Sequence, residues 1–223
     1  LDRGAIPKIL SDALAVSFDT SIGHNLFDDA DSRYDYYHRN EERIKFDIEW
    51  LNTVTNGGLP KKTLNCVLAP PNAGKSLLMC SLAAHYMRQG KNVLYITMEM
   101  AEERIAERID SNLMMMSSED IKQLSREEFS RRLSNVRKKT PGGLVIKEYP
   151  TAGAHAGHFR HLLEELRMKK KFDVDIVFVD YMNICLSQRV RNSNANSYTI
   201  VKSISEELRG LAVEQDVMIW SAT

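Results

Sequence analysis

LNCVLAPPNAGKSLL, residues 64–78, is the stretch from which the remainder of the chain is read. The apolar residues at its start predict a short buried strand, Pro70-Pro71 break it, and Gly74-Lys75-Ser76 open a helix. A strand feeding a tight turn and then a helix is the layout of a phosphate-binding loop. Bare backbone N–H groups point at anionic oxygens, and the helix adds its positive N-terminal end. The candidate nucleotide-binding set is therefore Ala69, Pro70, Pro71, Asn72, Ala73, Gly74, Lys75, Ser76 and Leu77. In it Lys75 would neutralise the β- and γ-phosphates, and the Ser76 hydroxyl would hold a magnesium ion, so the cofactors read as ATP or another nucleoside triphosphate with Mg2+. The usual pattern is Gly-x-x-x-x-Gly-Lys-Ser/Thr, and Ala69 stands where its first Gly is expected. The departure is tolerable if that position needs only a small side chain. The plainer alternative is an ordinary strand-to-helix turn with a solvated Lys75, and the strand-loop-helix context weighs against it.

The chain has 223 residues, 43% apolar and 27% charged, enough to bury the core of one sizeable domain. Thirty basic residues balance thirty acidic ones, so any nucleic-acid contact must come from local placement of charge rather than a global field. Cys66, Cys80 and Cys185 are far apart, form no paired metal or redox motif, and read as reduced, buried thiols in a cytosolic protein. No apolar run approaches the ~20 residues that would span a bilayer, and no signal-peptide pattern opens the chain, so no membrane partner is expected. The chain starts at Leu1 and stops at Thr223 inside an apolar run, so it reads as a fragment.

Residues 6–18 place apolar side chains on one stripe and predict a short amphipathic helix, with Pro7 near its first position. A long polar tether follows, over 19–43. Further helices are expected at 48–54, 76–89, 101–115, near Ser118, from Ser125 on, at 155–170 and at 198–214. Strands are expected at 93–97, 144–149, 174–180 and 217–222, with the loop strand before them. Strands that alternate with helices and are apolar on both faces belong to a mainly parallel sheet covered by helices on each side, an α/β fold.

In such a sheet the ligand lies beyond the carboxyl ends of the strands. The loop at 69–76, Glu99 and Asp180 all fall there. Asp180, after Ile176-Val177-Phe178-Val179, suits a carboxylate that holds the magnesium's water shell; the bland reading is a turn aspartate. Hydrolysis also needs a group that orients a water in line with the γ-phosphate and takes its proton. Tyr181 occupies the position after Asp180 where another class of ATPase keeps a glutamate, which leaves Glu99 as the candidate catalytic base beside Lys75. Its plain alternative is a cap for the helix that follows. His155, His158 and His161 share a helix face and read as solvated, Lys169 to Lys171 and Arg137 to Lys139 suit helix C-termini, and Met114 to Met116 read as packing.

Taken together, Ala-Pro-Pro-Asn-Ala-Gly-Lys-Ser at 69–76, Ile-Thr-Met-Glu-Met at 96–100 and Val-Asp-Tyr-Met at 179–182 resemble the RecA-type motor domain of DnaB-class replicative helicases, in particular those of T-even-like bacteriophages. The likeness extends through 18–25, 57–60 and 196–199, and so covers most of the chain. It implies a RecA-like core at 46–223, cut at its C-terminal end, with a linker helix and tether at 1–45 that lead from an absent N-terminal domain and dock on a neighbour. It also implies a homohexameric ring that hydrolyses nucleotide between subunits and draws single-stranded DNA through its centre. A primase and a helicase loader would be its partners, in the cytoplasm, that of a host cell if the chain is phage-encoded. The loop at 187–197 corresponds to a pore-facing loop, where Arg189, Arg191, Asn192 and Asn194 would track DNA phosphates. A flexible surface loop is the alternative. The arginine finger, sensor residue and second DNA loop of the family fall beyond the chain. Such a finger is worth about three to five orders of magnitude in rate, so the fragment is expected to bind nucleotide and hydrolyse it poorly. A RecA-like recombinase and a nucleotide-switched assembly ATPase are the competing readings.

Overall fold

The computed structural model describes residues 26–27, 29–38, 42–190 and 196–223. The helix expected at 6–18 lies outside the described residues. The chain divides into two units, Leu1–Glu41 and Glu42–Thr223.

The first unit holds α1, Ala30–His38, a helix within what the sequence suggested was only a polar tether. Asp31 sits in the first turn and His38 in the last, as the helix dipole favours, and the Tyr34 and His38 rings stack with centroids 4.0 Å apart.

The second unit opens with a small antiparallel pair, β1 (Arg43–Ile44) and β2 (Leu59–Pro60), linked through α2 (Glu49–Val54). Gly58 enters β2 with φ of 115°, and a Cβ there would lie 2.2 Å from the Ile44 carbonyl oxygen, so only glycine lets the pair close. The main sheet comprises β3 (Leu64–Val67), β4 (Val93–Thr97), β5 (Leu144–Glu148), β6 (Ile176–Asp180) and β7 (Met218–Ala222). Its five strands lie in the order β3-β7-β6-β4-β5 and every pairing is parallel. Every residue of β4, β6 and β7 is buried, which explains why these strands read as unbroken apolar runs.

Alternate side chains feed two core layers. Val93, Tyr95, Ile176, Phe178 and Trp220 pack under α3 (Lys75–Arg88) and α4 (Glu102–Met114). Leu94, Ile96, Val177, Val179 and Ile219 pack under α7 (Ala156–Lys170) and α8 (Ser197–Glu214). Between α4 and β5 the chain forms α5 (Ser118–Gln123) and α6 (Arg126–Lys139), capped by the Ser117 and Ser125 hydroxyls.

Three sequence expectations are corrected. The strand before the loop is not buried: β7 inserts between β3 and β6, so β3 is an edge strand with only partial cover. For the same reason Cys66 is exposed, whereas Cys80 and Cys185 are buried as expected. Met115 is not packing either; it ends α4 in a left-handed conformation with its side chain out in solvent.

Candidate nucleotide site at the carboxyl edge of the sheet

β3 stops at Val67, and the chain turns through 68–74 before α3 begins at Lys75. Left-handed backbone falls at Asn72 (φ 63°) and at Gly74 (φ 92°), which caps the helix. Ala69 carries no such conformation, and this is the physical reason that a glycine is dispensable there. The first turn of α3, like that of any helix, leaves backbone N–H groups without intrahelical partners, and such groups suit an anion. Lys75 Nζ folds back onto the loop, donating to the Ala69 carbonyl at 2.7 Å and the Pro70 carbonyl at 3.4 Å.

Asp180 ends β6 and is buried. Its Oδ1 accepts from the Ser76 hydroxyl at 3.2 Å, and its Oδ2 accepts from the Tyr95 hydroxyl at 2.9 Å. Burial pushes the Asp180 carboxyl above its ordinary value, opposed by those two hydrogen bonds and by the charges of Arg108 and Lys75. Tyr95 is buried in β4 with Cys80 Sγ of α3 donating weakly to its oxygen at 3.8 Å, and burial drives its phenol far upward, so it stays a donor.

Glu99 lies on the turn after β4. That turn is held by Thr97, whose hydroxyl donates to the Met100 carbonyl at 2.8 Å and accepts from the Met100 N–H at 3.1 Å. The first N–H of α4, that of Glu102, donates to Glu148 Oε2 at 3.3 Å, and Glu99 is exposed on the wall of the cleft. The cleft has a volume of about 540 Å³ and brings together Ala69, Pro71, Asn72, Gly74, Lys75, Ser76, Leu77, Glu99 and Asp180. Pro70 contributes its carbonyl to Lys75, and Ala73 donates its N–H to that same carbonyl at 3.3 Å. Two cavities of about 670 and 650 Å³ beside α4 and α6 are larger, but they include neither the loop nor Glu99 and Asp180. Chemistry, not volume, singles out the smaller cleft.

Arg108 of α4 and Asn183 also line the cleft and were not anticipated. Locally Arg108 looks like Arg104, which merely pairs with Glu107 at 3.3 Å. Tyr95 did carry a signal, since a hydroxyl inside the strand VLYIT must find a partner.

After Asp180 the chain passes a short 3₁₀ turn, Met182–Ile184, and reaches the loop at 187–197. Arg189 is engaged with Glu206 of α8 at 3.1 Å, while Arg191, Asn192 and Asn194 lie outside the described residues. The root of the loop is fixed by Glu207, which sequence reading missed. Its carboxylate accepts from the Ser187 hydroxyl at 2.7 Å, the Ser203 hydroxyl at 3.2 Å, and the N–H groups of Gln188 (3.0 Å) and Arg189 (3.3 Å). Burial works to raise the Glu207 pKa, and these bonds outweigh it, holding the carboxyl below the usual range. His155 and His158, expected to be merely solvated, instead stack with centroids 3.9 Å apart and cap α7. His155 Nδ1 accepts from the Gly157 N–H, and His158 Nδ1 accepts from the His155 N–H.

A parallel five-stranded sheet between helical layers, with its functional groups gathered at one edge, defines an α/β domain of RecA-like architecture. The chain belongs to the family described as DnaB-like helicase C terminal domain, which matches residues 44–222. It is 48% identical to the DnaB-like replicative helicase of Enterobacteria phage T4, over 99% of this chain and 47% of that protein. It is 26% identical to a probable plasmid replicative DNA helicase of Chlamydia psittaci, over 82% of this chain and 41% of that one. The chain thus spans about half the length of these curated relatives or less. Two solved structures share the fold at low identity. One, described as the structure of a DnaB-like replicative helicase and its interactions with primase, has a TM-score of 0.70 at 17% identity, covering 97% of this chain and 51% of that one. The other, described as an ATPase domain, has a TM-score of 0.66 at 16% identity, covering 99% of this chain and 71% of that one.

Proposed function

We propose that this chain is the motor portion of an ATP-dependent replicative DNA helicase. It would hydrolyse nucleotide at the subunit interfaces of a homohexameric ring and use that work to translocate on single-stranded DNA. The observation that carries the reading is the convergence of the 69–76 loop, the Ser76–Asp180 contact and Glu99 on one cleft, in a chain of this family.

The residues present fit a magnesium ion. Ser76 Oγ and Asp180 Oδ1 are hard oxygen donors 3.2 Å apart on an open cleft. No cluster of three or more His, Cys, Asp or Glu that could hold a metal exists among the described residues. A hydroxyl and one carboxylate, completed by waters and phosphate oxygens, suit Mg2+ better than ions that need a full protein cage. When bound, the ion would neutralise phosphate charge.

The chain's own groups would act in order. Lys75 exchanges its two loop carbonyls for β- and γ-phosphate oxygens, and the loop N–H groups hold the phosphate chain. Ser76 and Asp180 orient their oxygens toward the metal's shell. Glu99 accepts the proton of a water aimed at the γ-phosphate. Arg189 would leave Glu206 for a DNA phosphate, joined by Arg191, Asn192 and Asn194.

We carry the linker helix at 6–18, a tether and motor split at 45/46, an N-terminal domain outside the chain, a primase, a loader and a host cytoplasmic setting as parts of the same proposal. The structure of a relative with primase supports the first partner. No described helix is long and apolar enough to cross a membrane.

The experiment is ATP hydrolysis by the full-length protein that carries this chain, with and without single-stranded DNA, across a salt series. Strong stimulation that fades as salt rises is expected. No stimulation at any salt, with rings still forming on nucleotide, would favour an assembly switch instead.

A further inference from the structure

β4 reads VLYIT, and all five residues are buried. Phenylalanine would fill the place of Tyr95 equally well, since the ring already lies 15° from parallel to Phe178 with centroids 5.5 Å apart. The hydroxyl adds something else: its donation to Asp180 Oδ2 at 2.9 Å. Tyr95 and Asp180 stand on adjacent parallel strands, where Tyr95 is paired with Phe178 and Thr97 with Asp180. The tie therefore runs from the sheet interior up to the strand end.

The consequence is a division of labour between the two oxygens of one carboxylate. Oδ2 is committed to the core, and Oδ1 faces Ser76 at 3.2 Å on the cleft side. A carboxylate rotates about a broad terminal torsion, so a single contact at Oδ1 would leave its plane loosely set. Mg2+ demands near-octahedral geometry, and outer partners that orient its ligands matter correspondingly.

We propose that Tyr95 is a positioning residue: its hydroxyl fixes the plane of the Asp180 carboxylate so that Oδ1, with Ser76 Oγ, is presented to the metal of a bound metal–nucleotide complex. This rests on the nucleotide-site reading above. Cys80 Sγ donates only weakly to the phenol oxygen, at 3.8 Å, and is not part of the device.

The test is Tyr95→Phe, which keeps the ring and its stack on Phe178. Binding of ATP is titrated by fluorescence with EDTA present, and then against Mn2+, whose own binding is followed by electron paramagnetic resonance. Half-saturation by Mn2+ is expected to rise at least about tenfold, with metal-free ATP binding unchanged, because loss of an outer-shell partner costs about 10–100-fold in metal affinity. Cys80→Ala should leave both measurements where they are; an equal shift there would make packing the cause and overturn the proposal. Lys75→Ala serves as the control for the site itself. An unchanged Mn2+ titration in Tyr95→Phe, with Lys75→Ala having lost ATP, would remove the positioning role and leave the nucleotide site standing. ATP binding undiminished in Lys75→Ala would remove the site, and this inference with it.

Discussion

The cleft and the root of the loop at 187–190 are only seven residues apart along the chain after β6, yet they use charge in opposite ways. At the root, Glu207 is buried and saturated by two hydroxyls and two backbone N–H groups. In the cleft, Lys75 rests on carbonyls of its own loop and Glu99 stands exposed on the wall. A group that must exchange partners during a reaction gains from weak, replaceable ones. A group that only holds a shape gains from a full set. Asp180 stands between the two kinds, tied at Oδ2 to the buried Tyr95 hydroxyl and held at Oδ1 by the half-buried Ser76 hydroxyl at 3.2 Å.

If the cleft works by exchanging partners during a reaction, Glu99 carries its chemistry. Glu99→Gln in the full-length protein is expected to lower steady-state hydrolysis by about 10²–10⁴-fold, the range for loss of general base catalysis, with nucleotide affinity within a few-fold of wild type. Hydrolysis at the wild-type rate would strike Glu99 from the mechanism. Lys75→Ala should act on binding instead. A charge-assisted contact is worth about 1.5–3 kcal/mol, so ATP affinity by equilibrium titration should fall roughly 10–150-fold.

At the root, the expected loss is stability. Glu207→Gln removes the charge that the four donors converge on and should lower the unfolding free energy by about 1–3 kcal/mol in denaturant melts. The pH dependence has a definite sign. The folded pKa lies below the unfolded one, so the carboxylate's contribution is present above the ordinary glutamate value of about 4.3 and is lost as pH falls through the lower folded value. A decline in stability in that acidic window, smaller in Glu207→Gln than in wild type, is the expected observation. Equal slopes would mean that Glu207 contributes nothing there.

What could be read in the sequence divides along the same line. β4 and β6 were legible because strands buried on both faces are unbroken apolar runs, and Glu99 and Asp180 because a parallel sheet collects ligands at its carboxyl ends. The edge position of β3 was not, since β7 pairs with it from some 150 residues away, and no local pattern encodes that insertion. Tyr95 reads as core until its neighbour strand is known. Arg108 becomes distinct from Arg104 only once α4 is laid against the cleft. Glu207 sits mid-helix, where a glutamate reads as solvated, and its loop partners come 18–20 residues earlier. His155 and His158 escaped notice because imidazole is an uncommon cap.

The smallest expected effect concerns Arg189, which belongs to both regions: its N–H feeds the Glu207 carboxylate at 3.3 Å, while its guanidinium meets Glu206 at 3.1 Å. The ion pair is exposed, with side chains 62% and 49% accessible, and such a pair is worth about 0–1 kcal/mol. Glu206 therefore restrains Arg189 only weakly, and a DNA phosphate could displace it at little cost. Glu206→Gln should raise single-stranded DNA affinity by no more than about fivefold, since 1 kcal/mol is the upper end of what the pair can withhold. Arg189→Ala should weaken binding evenly across sequences and reduce the salt slope by about one, as removal of a single phosphate contact does. Fluorescence anisotropy with the full-length protein, at several salt concentrations, measures both. If neither variant moves the anisotropy while Arg189→Ala lowers the melting temperature, Arg189 belongs with Glu207 to the fixed root, and any grip on DNA must come from elsewhere in the protein.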